Sequence, residues 1–366
     1  MNEQQFINRK SEHIRYSLSR ESEAVESNAL MEWNLIHDSL PDLDLVEISL
    51  DSEFLNRPQR TPFFIAGMTA GHPDAALLNE RMAAAAAERG WGFGVGSQRR
   101  ELERSFEDLP LRELRRRHPS LPLISNLGVS QLASVSRNKD WNRLRALLEE
   151  TGASSLAIHL NPLQEAIQTE GTPQFKGALL ALEECIEQLS LPLILKETGS
   201  GMSRRFLDRI ARLPLHAVDV SGLGGTHWGR IEGMRAAEGE FAARYGRTFK
   251  HWGIPTPDSI VNARNAFFGR PVRVWASGGI RSGLDAAKCL ALGASAVGFA
   301  RPALEAAIEG EKALHHWMEV VEGELRIAMF CTNSGTLREL DASKIEGESM
   351  TTNLKPEANS KEPSPT

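Results

Sequence analysis

The sequence predicts an α/β fold, a closed (β/α)8 TIM barrel, and three observations carry that prediction. Eight short apolar runs recur along the chain, each followed by a turn and a helical pattern. Such runs lack clean alternation, which suits parallel strands buried on both faces. Residues 272–301 then read as a strand, a glycine turn, a helix and a second strand, with Gly278, Gly279 and Ile280 at the turn. Their N–H groups, beside a helix start, make an anion site. In a barrel of this type the loops after strands 7 and 8 are where phosphate sits. Finally, no G-x-G-x-x-G occurs, which argues against an open dinucleotide-binding sheet.

The elements follow in order. The expected strands are residues 62–67, 92–96, 121–127, 155–160, 192–197, 217–222, 272–278 and 296–301. Helical patterns cover 74–89 (alanine-rich), 111–117 (opened by Pro110), 141–151, 176–189, 204–213, 258–268 and 283–292, with a last helix over 313–332. Residues 1–60 form an N-terminal extension and 61–338 the barrel. Residues 339–366, rich in Ser, Glu, Lys, Pro and Thr, read as a disordered tail. The stretch 222–250 is the longest interval between strands and reads as an active-site lid.

Bulk properties narrow the class. The chain has 366 residues, 41% hydrophobic and 25% charged, with net charge −6. Its isoelectric point is about 6.0. That balance predicts neither nucleic acid nor an anionic membrane as partner. Three widely spaced cysteines, Cys185, Cys289 and Cys331, show no metal-ligand or disulfide pattern. The N-terminus is polar and no apolar run approaches membrane-spanning length. A cytoplasmic location is expected.

Barrel chemistry sits at the C-terminal ends of strands. In this chain those ends read Gly67-Met68-Thr69, Ser97-Gln98-Arg99, Ser125-Asn126, His159 through Glu165, Lys196-Glu197, and Ser221 through Trp228. A polar side chain after an apolar strand is costly unless something binds it. Any one of these alone reads as a helix cap or a satisfied core group; the ring of them does not. Lys196 supplies a cation for an electron-rich ring, and the late glycine turns hold a phosphate. The combination points to flavin mononucleotide.

Longer motifs then make a resemblance specific. They are Arg9-Lys10-x-Glu12-His13, Gly67-Met68-Thr69-x-Gly71, Gly96-Ser97-Gln98-Arg99, Ser125-Asn126-Leu127-Gly128 and Asn161-Pro162-Leu163-Gln164-Glu165. Lys196-Glu197-x-Gly199-x-Gly201, Asp219-Val220-Ser221-Gly222-x-Gly224-Gly225-Thr226 and Ser277-Gly278-Gly279-Ile280-Arg281 follow. Over roughly residues 7–338 the chain resembles the type 2, flavin-dependent isopentenyl-diphosphate isomerases. The pairing of Arg9-Lys10 with the Asn161–Glu165 string is the specific part; the glycine strings are common to many flavin barrels. The resemblance implies FMN against Gly67, Met68, Thr69, Ser97, Asn126, Lys196, Ser221, Thr226, Gly278, Gly279, Ala300 and Arg301. It implies the diphosphate of isopentenyl or dimethylallyl diphosphate against Arg9, Lys10, His13, Ser97, Gln98, Arg99 and His159. Gln164 then faces the reacting carbons, Glu165 holds Mg²⁺, and NADPH serves only to reduce the flavin. It further implies a homotetramer or homo-octamer. Glu232, inside the expected lid, is the candidate relay carboxylate. Ala66, Ala70 and His227 depart from the family pattern; a serine is common at the last of these, and His227, flanking the expected lid, reads as a surface residue.

The implied reaction adds a proton at one carbon and removes one at another. It therefore calls for stabilisation of a developing cation in a dry site. Two alternatives compete with it. A 2-hydroxy acid oxidase or dehydrogenase calls for a His-x-x-Arg arrangement before strand 7, and none occurs. A phosphate-binding barrel without catalysis leaves Gln164 and Glu165 unexplained.

Overall fold

The computed structural model describes residues 12–23, 29–68, 74–103 and 110–347. Eight strands close into a barrel: β1 (Phe63–Ile65), β2 (Gly92–Gly94), β3 (Leu123–Gly128), β4 (Ser155–Leu160), β5 (Leu193–Glu197), β6 (Ala217–Asp219), β7 (Arg273–Ala276) and β8 (Ala296–Phe299). Every neighbouring pair is parallel, and the seam is closed by Val297 of β8 opposite Phe63 of β1. The eight strands lie where the apolar runs predict them.

Side chains alternate across each strand. Phe64, Ile124, Ala157, Ile194, Ala217, Trp275 and Ala296 form one buried cluster, the barrel interior. Their neighbours Phe63, Ile65, Leu123, Leu156, Ile158, Leu193, Leu195, Val218, Val274, Val297 and Phe299 join the larger cluster shared with the outer helices. Burial on both faces is what made the runs continuous rather than alternating.

A small hairpin closes the N-terminal end of the barrel. Strands Ser52–Phe54 and Arg57–Gln59 pair antiparallel around Leu55 and Asn56, whose φ values are 52° and 61°. Positive φ at both central residues is the hairpin geometry that matches strand twist. Phe54 stacks on Trp275 at 4.5 Å between ring centroids. Gly92 makes room for it, since a Cβ there would lie 2.5 Å from the Phe54 ring.

The structure departs from expectation in several places. Residues 340–347 are ordered rather than tail: Leu340 is 1% exposed, and Ile345–Gly347 pairs antiparallel with Trp33–Leu35. Composition hid this because the strand is held by a partner near the other end of the chain. Residues 348–366 lie outside the described residues. Helices not expected include Val129–Asn138, rich in serine and valine, the short Arg99–Glu103 and Pro162–Ile167, and Arg301–Glu309. The stretch read as a lid is a packed pair of helices, Trp228–Arg235 and Phe241–Thr248. Gly233 and Gly246 bring them so close that a Cβ on either would lie 2.7 Å from the other's Cα.

The last long helix, Glu311–Cys331, is tied to the barrel through a buried carboxylate. Glu322 accepts from Arg89 at 3.1 and 2.9 Å and from the Trp91 indole at 2.8 Å. Removing one partner of such a pair strands the other. Glu322→Ala is expected to lower unfolding free energy by about 3 kcal/mol. Chemical denaturation checks this; an unchanged midpoint overturns it.

Candidate active site

Alternation places the polar residues at the C-terminal end of the barrel. Two positions beyond an inward apolar residue, the next inward side chain on each of five strands is polar. The pairs are Ile124 then Asn126, Ala157 then His159, Ile194 then Lys196, Ala217 then Asp219, and Trp275 then Ser277. Register puts several at one level: His159 lies opposite Lys196, Lys196 opposite Asp219, and Asp219 opposite Trp275.

Above this ring opens a cavity of about 1190 Å³. That exceeds the roughly 300–1,000 Å³ of an ordinary small-molecule site, so it has room for more than one ligand. Eleven of the twelve residues expected against the flavin line it: Gly67, Met68, Ser97, Asn126, Lys196, Ser221, Thr226, Gly278, Gly279, Ala300 and Arg301. Thr69 and Ala70 lie outside the described residues. His13, Arg99, His159, Gln164 and Glu165 also line it. Arg9 and Lys10 lie outside the described residues.

The floor is a hydrogen-bonded set. Lys196 Nζ donates to Asp219 Oδ2 at 2.8 Å and to Ser277 Oγ at 3.3 Å. Ser277 Oγ donates to Asp219 Oδ1 at 2.7 Å. Asn126 Nδ2 donates to the Val95 carbonyl at 3.1 Å, which turns Oδ1 toward His159 Nδ1 at 2.9 Å. The histidine therefore donates from Nδ1. Gln98 does not reach the cavity. It is 2% exposed, and its Oε1 accepts from the Ser125 hydroxyl and from the Asn126 N–H. The residue expected on the diphosphate instead braces the floor. Arg99 lies at the wall and pairs with Glu103 at 3.2 Å.

One wall is built for close approach to backbone. Gly278 has φ +97°, and a Cβ there would lie 2.3 Å from the Gly222 carbonyl. A Cβ on Gly225 would lie 2.6 Å from the Gly279 nitrogen. The helix-start expectation is corrected in one respect. The helix after β7, Gly283–Ala291, is already capped by Ser282, which accepts from the Asp285 N–H. The helix after β8, Arg301–Glu309, has no side-chain cap, and its first residues line the cavity. Arg301 also holds the N-terminal segment, donating to Glu23 at 2.5 Å and to the Leu18 carbonyl at 2.8 Å. Arg281 grips the other Glu23 oxygen at 3.2 Å.

The opposite wall is an amide–carboxylate network. Asn161 Nδ2 donates to Gln164 Oε1 and Glu165 Oε1, both at 3.1 Å. Glu165 Oε2 accepts from the Thr172 N–H at 2.5 Å. Gln164 Nε2 donates to Glu232 Oε1 at 2.8 Å. Glu232 is 2% exposed and also pairs with His13 at 2.9 Å and with Arg235. Burial alone would raise its pKa. The His13 bond and charge, then Arg235 and Gln164, outweigh burial and hold the carboxyl at about 2. Arg235 in turn reaches Glu12 at 3.2 Å and Glu170 at 3.3 Å.

Two readings of single residues change. His227, expected on the surface, is 1% exposed and begins the Trp228–Arg235 helix. Its Nδ1 accepts from the Arg230 N–H at 3.1 Å, the job a serine does at a helix start. Burial lowers its pKa, consistent with that neutral accepting nitrogen. Glu197, beside Lys196, points away from the cavity and accepts three backbone N–H bonds, from Thr198, Gly199 and Ser200. Burial pushes its carboxyl up to about 7 against those donors.

A closed parallel barrel with a glycine wall, a lysine-bearing polar floor and one cavity large enough for two ligands defines an enzyme of the flavin-barrel class. The family model for FMN-dependent dehydrogenases matches residues 107–347. Solved structures agree in fold: a flavocytochrome b2 variant at 16% identity covers 92% of this chain and 82% of its own, with TM-score 0.65. A mandelate oxidase variant at 19% covers 90% and 93%, with TM-score 0.62. Among curated proteins, the isopentenyl-diphosphate delta-isomerase of Legionella pneumophila (strain Paris) is 45% identical over 92% of this chain and 96% of its own. That of Bdellovibrio bacteriovorus is 42% identical over 93% and 98%. That of Pyrobaculum aerophilum is 40% identical over 91% and 92%. The chain belongs to the isopentenyl-diphosphate delta-isomerase family.

The Glu232 network has a pH consequence. A carboxyl held at about 2, against an ordinary 4.5, contributes stability above pH 4.5 that is lost as pH falls toward 2. The wild-type denaturation midpoint is expected to fall across that window, and Glu232→Gln to lower it at pH 7 and flatten the decline. Parallel pH profiles for the two proteins would show that the network does not carry this stability.

Proposed function

We infer that this chain interconverts isopentenyl and dimethylallyl diphosphate, shifting the double bond by proton addition at one carbon and removal at another. The observation that carries this is the pairing, across one cavity, of a glycine wall suited to a phosphate with the Gln164–Glu232–His13 network. The residues fit FMN. Lys196 and Ser277 lie beneath the position for a ring, small residues Gly67 and Ala66 flank it, and Gly278 and Gly279 line the wall with backbone that a phosphate can approach closely. When bound and reduced, FMN supplies an electron-rich ring beside a hydrocarbon that develops positive charge.

The protein's own groups divide the remaining tasks. Gln164 has its amide nitrogen on Glu232 and its oxygen on Asn161, so it is held in one orientation against the substrate. An amide is a feeble acid or base, and a positioning role suits it. Glu232 stays ionised through neutral pH, so it favours positive charge in the wall rather than supplying a proton. Glu165 is the proposed Mg²⁺ ligand. Glu165 would hold the ion together with oxygens of the substrate and water, since among the described residues no three His, Cys, Asp or Glu side chains gather as a metal site. His13, Arg99, His159 and Ser97 are proposed for the diphosphate, together with Arg9 and Lys10. Such remote anchoring positions the alkene. NADPH is proposed only as reductant, and a cytoplasmic homotetramer or homo-octamer as the working form. Among the described residues no helix is long and apolar enough to cross a membrane.

The test is isomerisation of isopentenyl diphosphate by FMN-loaded protein with Mg²⁺, before and after anaerobic reduction. Turnover is expected only after reduction; a reduced, flavin-loaded protein that leaves the substrate unchanged overturns the reading. Glu165→Gln is expected to raise the Mg²⁺ concentration for half-maximal rate by about tenfold, the loss of one charge-assisted ligand, with flavin content unchanged. An unaltered Mg²⁺ dependence removes Glu165 from that role.

A further inference from the structure

Asp219 is 1% exposed, yet it stands in a strand buried on both faces. The isomerase reading gives it no task. It does not line the main cavity; it lines a small void of about 20 Å³ beneath the floor, with Phe64, Ile124, Ile194 and Trp275 around it. Lys196 lines both spaces. The carboxylate is thus one layer below the position proposed for the ring, and its reach to that ring runs through the lysine. Both of its oxygens are engaged, one by Lys196 Nζ at 2.8 Å and one by the Ser277 hydroxyl at 2.7 Å. Register enforces the arrangement, since Lys196 and Asp219 are direct partners on adjacent strands.

We propose that Asp219 is a positioning residue that sets how much positive charge Lys196 presents to the flavin. This rests on the reading that FMN occupies the cavity. A lone cation under the ring would favour the reduced, negatively charged form strongly. A cation neutralised by a carboxylate at 2.8 Å in apolar surroundings favours it weakly, while its nitrogen stays fixed in place. The electrostatic unit beneath the ring is therefore the pair.

The experiment is the two-electron reduction potential of bound FMN, with the absorbance of the reduced form as a second readout. Asp219→Asn keeps the shape and an acceptor oxygen for Lys196 but removes the charge, its amide nitrogen donating to the Ser277 hydroxyl instead. It is expected to favour reduced over oxidised flavin about tenfold, an upward shift of ~30 mV. Lys196→Met is expected to shift the potential downward. The double variant D219N/K196M, which removes a net-neutral pair, is expected to return close to wild type. A yellow Asp219→Asn protein with wild-type potential and spectrum overturns the inference and leaves the isomerase reading standing. Wild-type protein that takes up no FMN overturns both. Should Asp219→Asn fail to fold, Lys196→Met against the double variant carries the test: the double must lie higher, and equal potentials overturn the proposal.

Discussion

Parallel pairing at the C-terminal end of the barrel is the constraint on which everything at the site depends. Each strand presents alternate residues inward, and register locks neighbours to a common level. The last inward apolar residue seals the core; the next inward residue has nothing apolar left to pack against. Asn126, His159, Lys196, Asp219 and Ser277 occupy those positions. Their bonds to one another follow from shared height more than from any local motif. A strand shifted by one residue would turn its polar group into the surrounding helices and leave the floor incomplete.

Much of this was legible in the sequence. The eight apolar runs fell on the eight strands, because burial on both faces leaves a continuous apolar signature. The wall glycines were legible as a string, and the structure supplies their reason: Gly222, Gly225, Gly278 and Gly279 meet backbone to backbone. What stayed hidden depends on contacts distant in sequence. The strand Ile345–Gly347 looks like tail until Trp33–Leu35 is seen beside it. His227 reads as a surface residue until its ring is found capping a helix. Gln98 sits in a cavity motif yet turns inward to Ser125. Asp219 carried a signal that could have been used, a lone charge inside an otherwise apolar strand.

The N-terminal segment shows how distant sequence becomes one wall. His13 meets Glu232, Glu12 meets Arg235, and Glu23 is held between Arg281 and Arg301. Each contact crosses more than two hundred residues, so the segment belongs to the site although it precedes the barrel. Composition could describe it only as polar. The charges that made it look solvated are the ones that dock it.

The hairpin bearing Phe54 has an effect beyond packing. With that ring stacked on Trp275, the packed interior is capped from below. A molecule resting on Lys196 has packed core beneath it and open space above it, so its way out is upward.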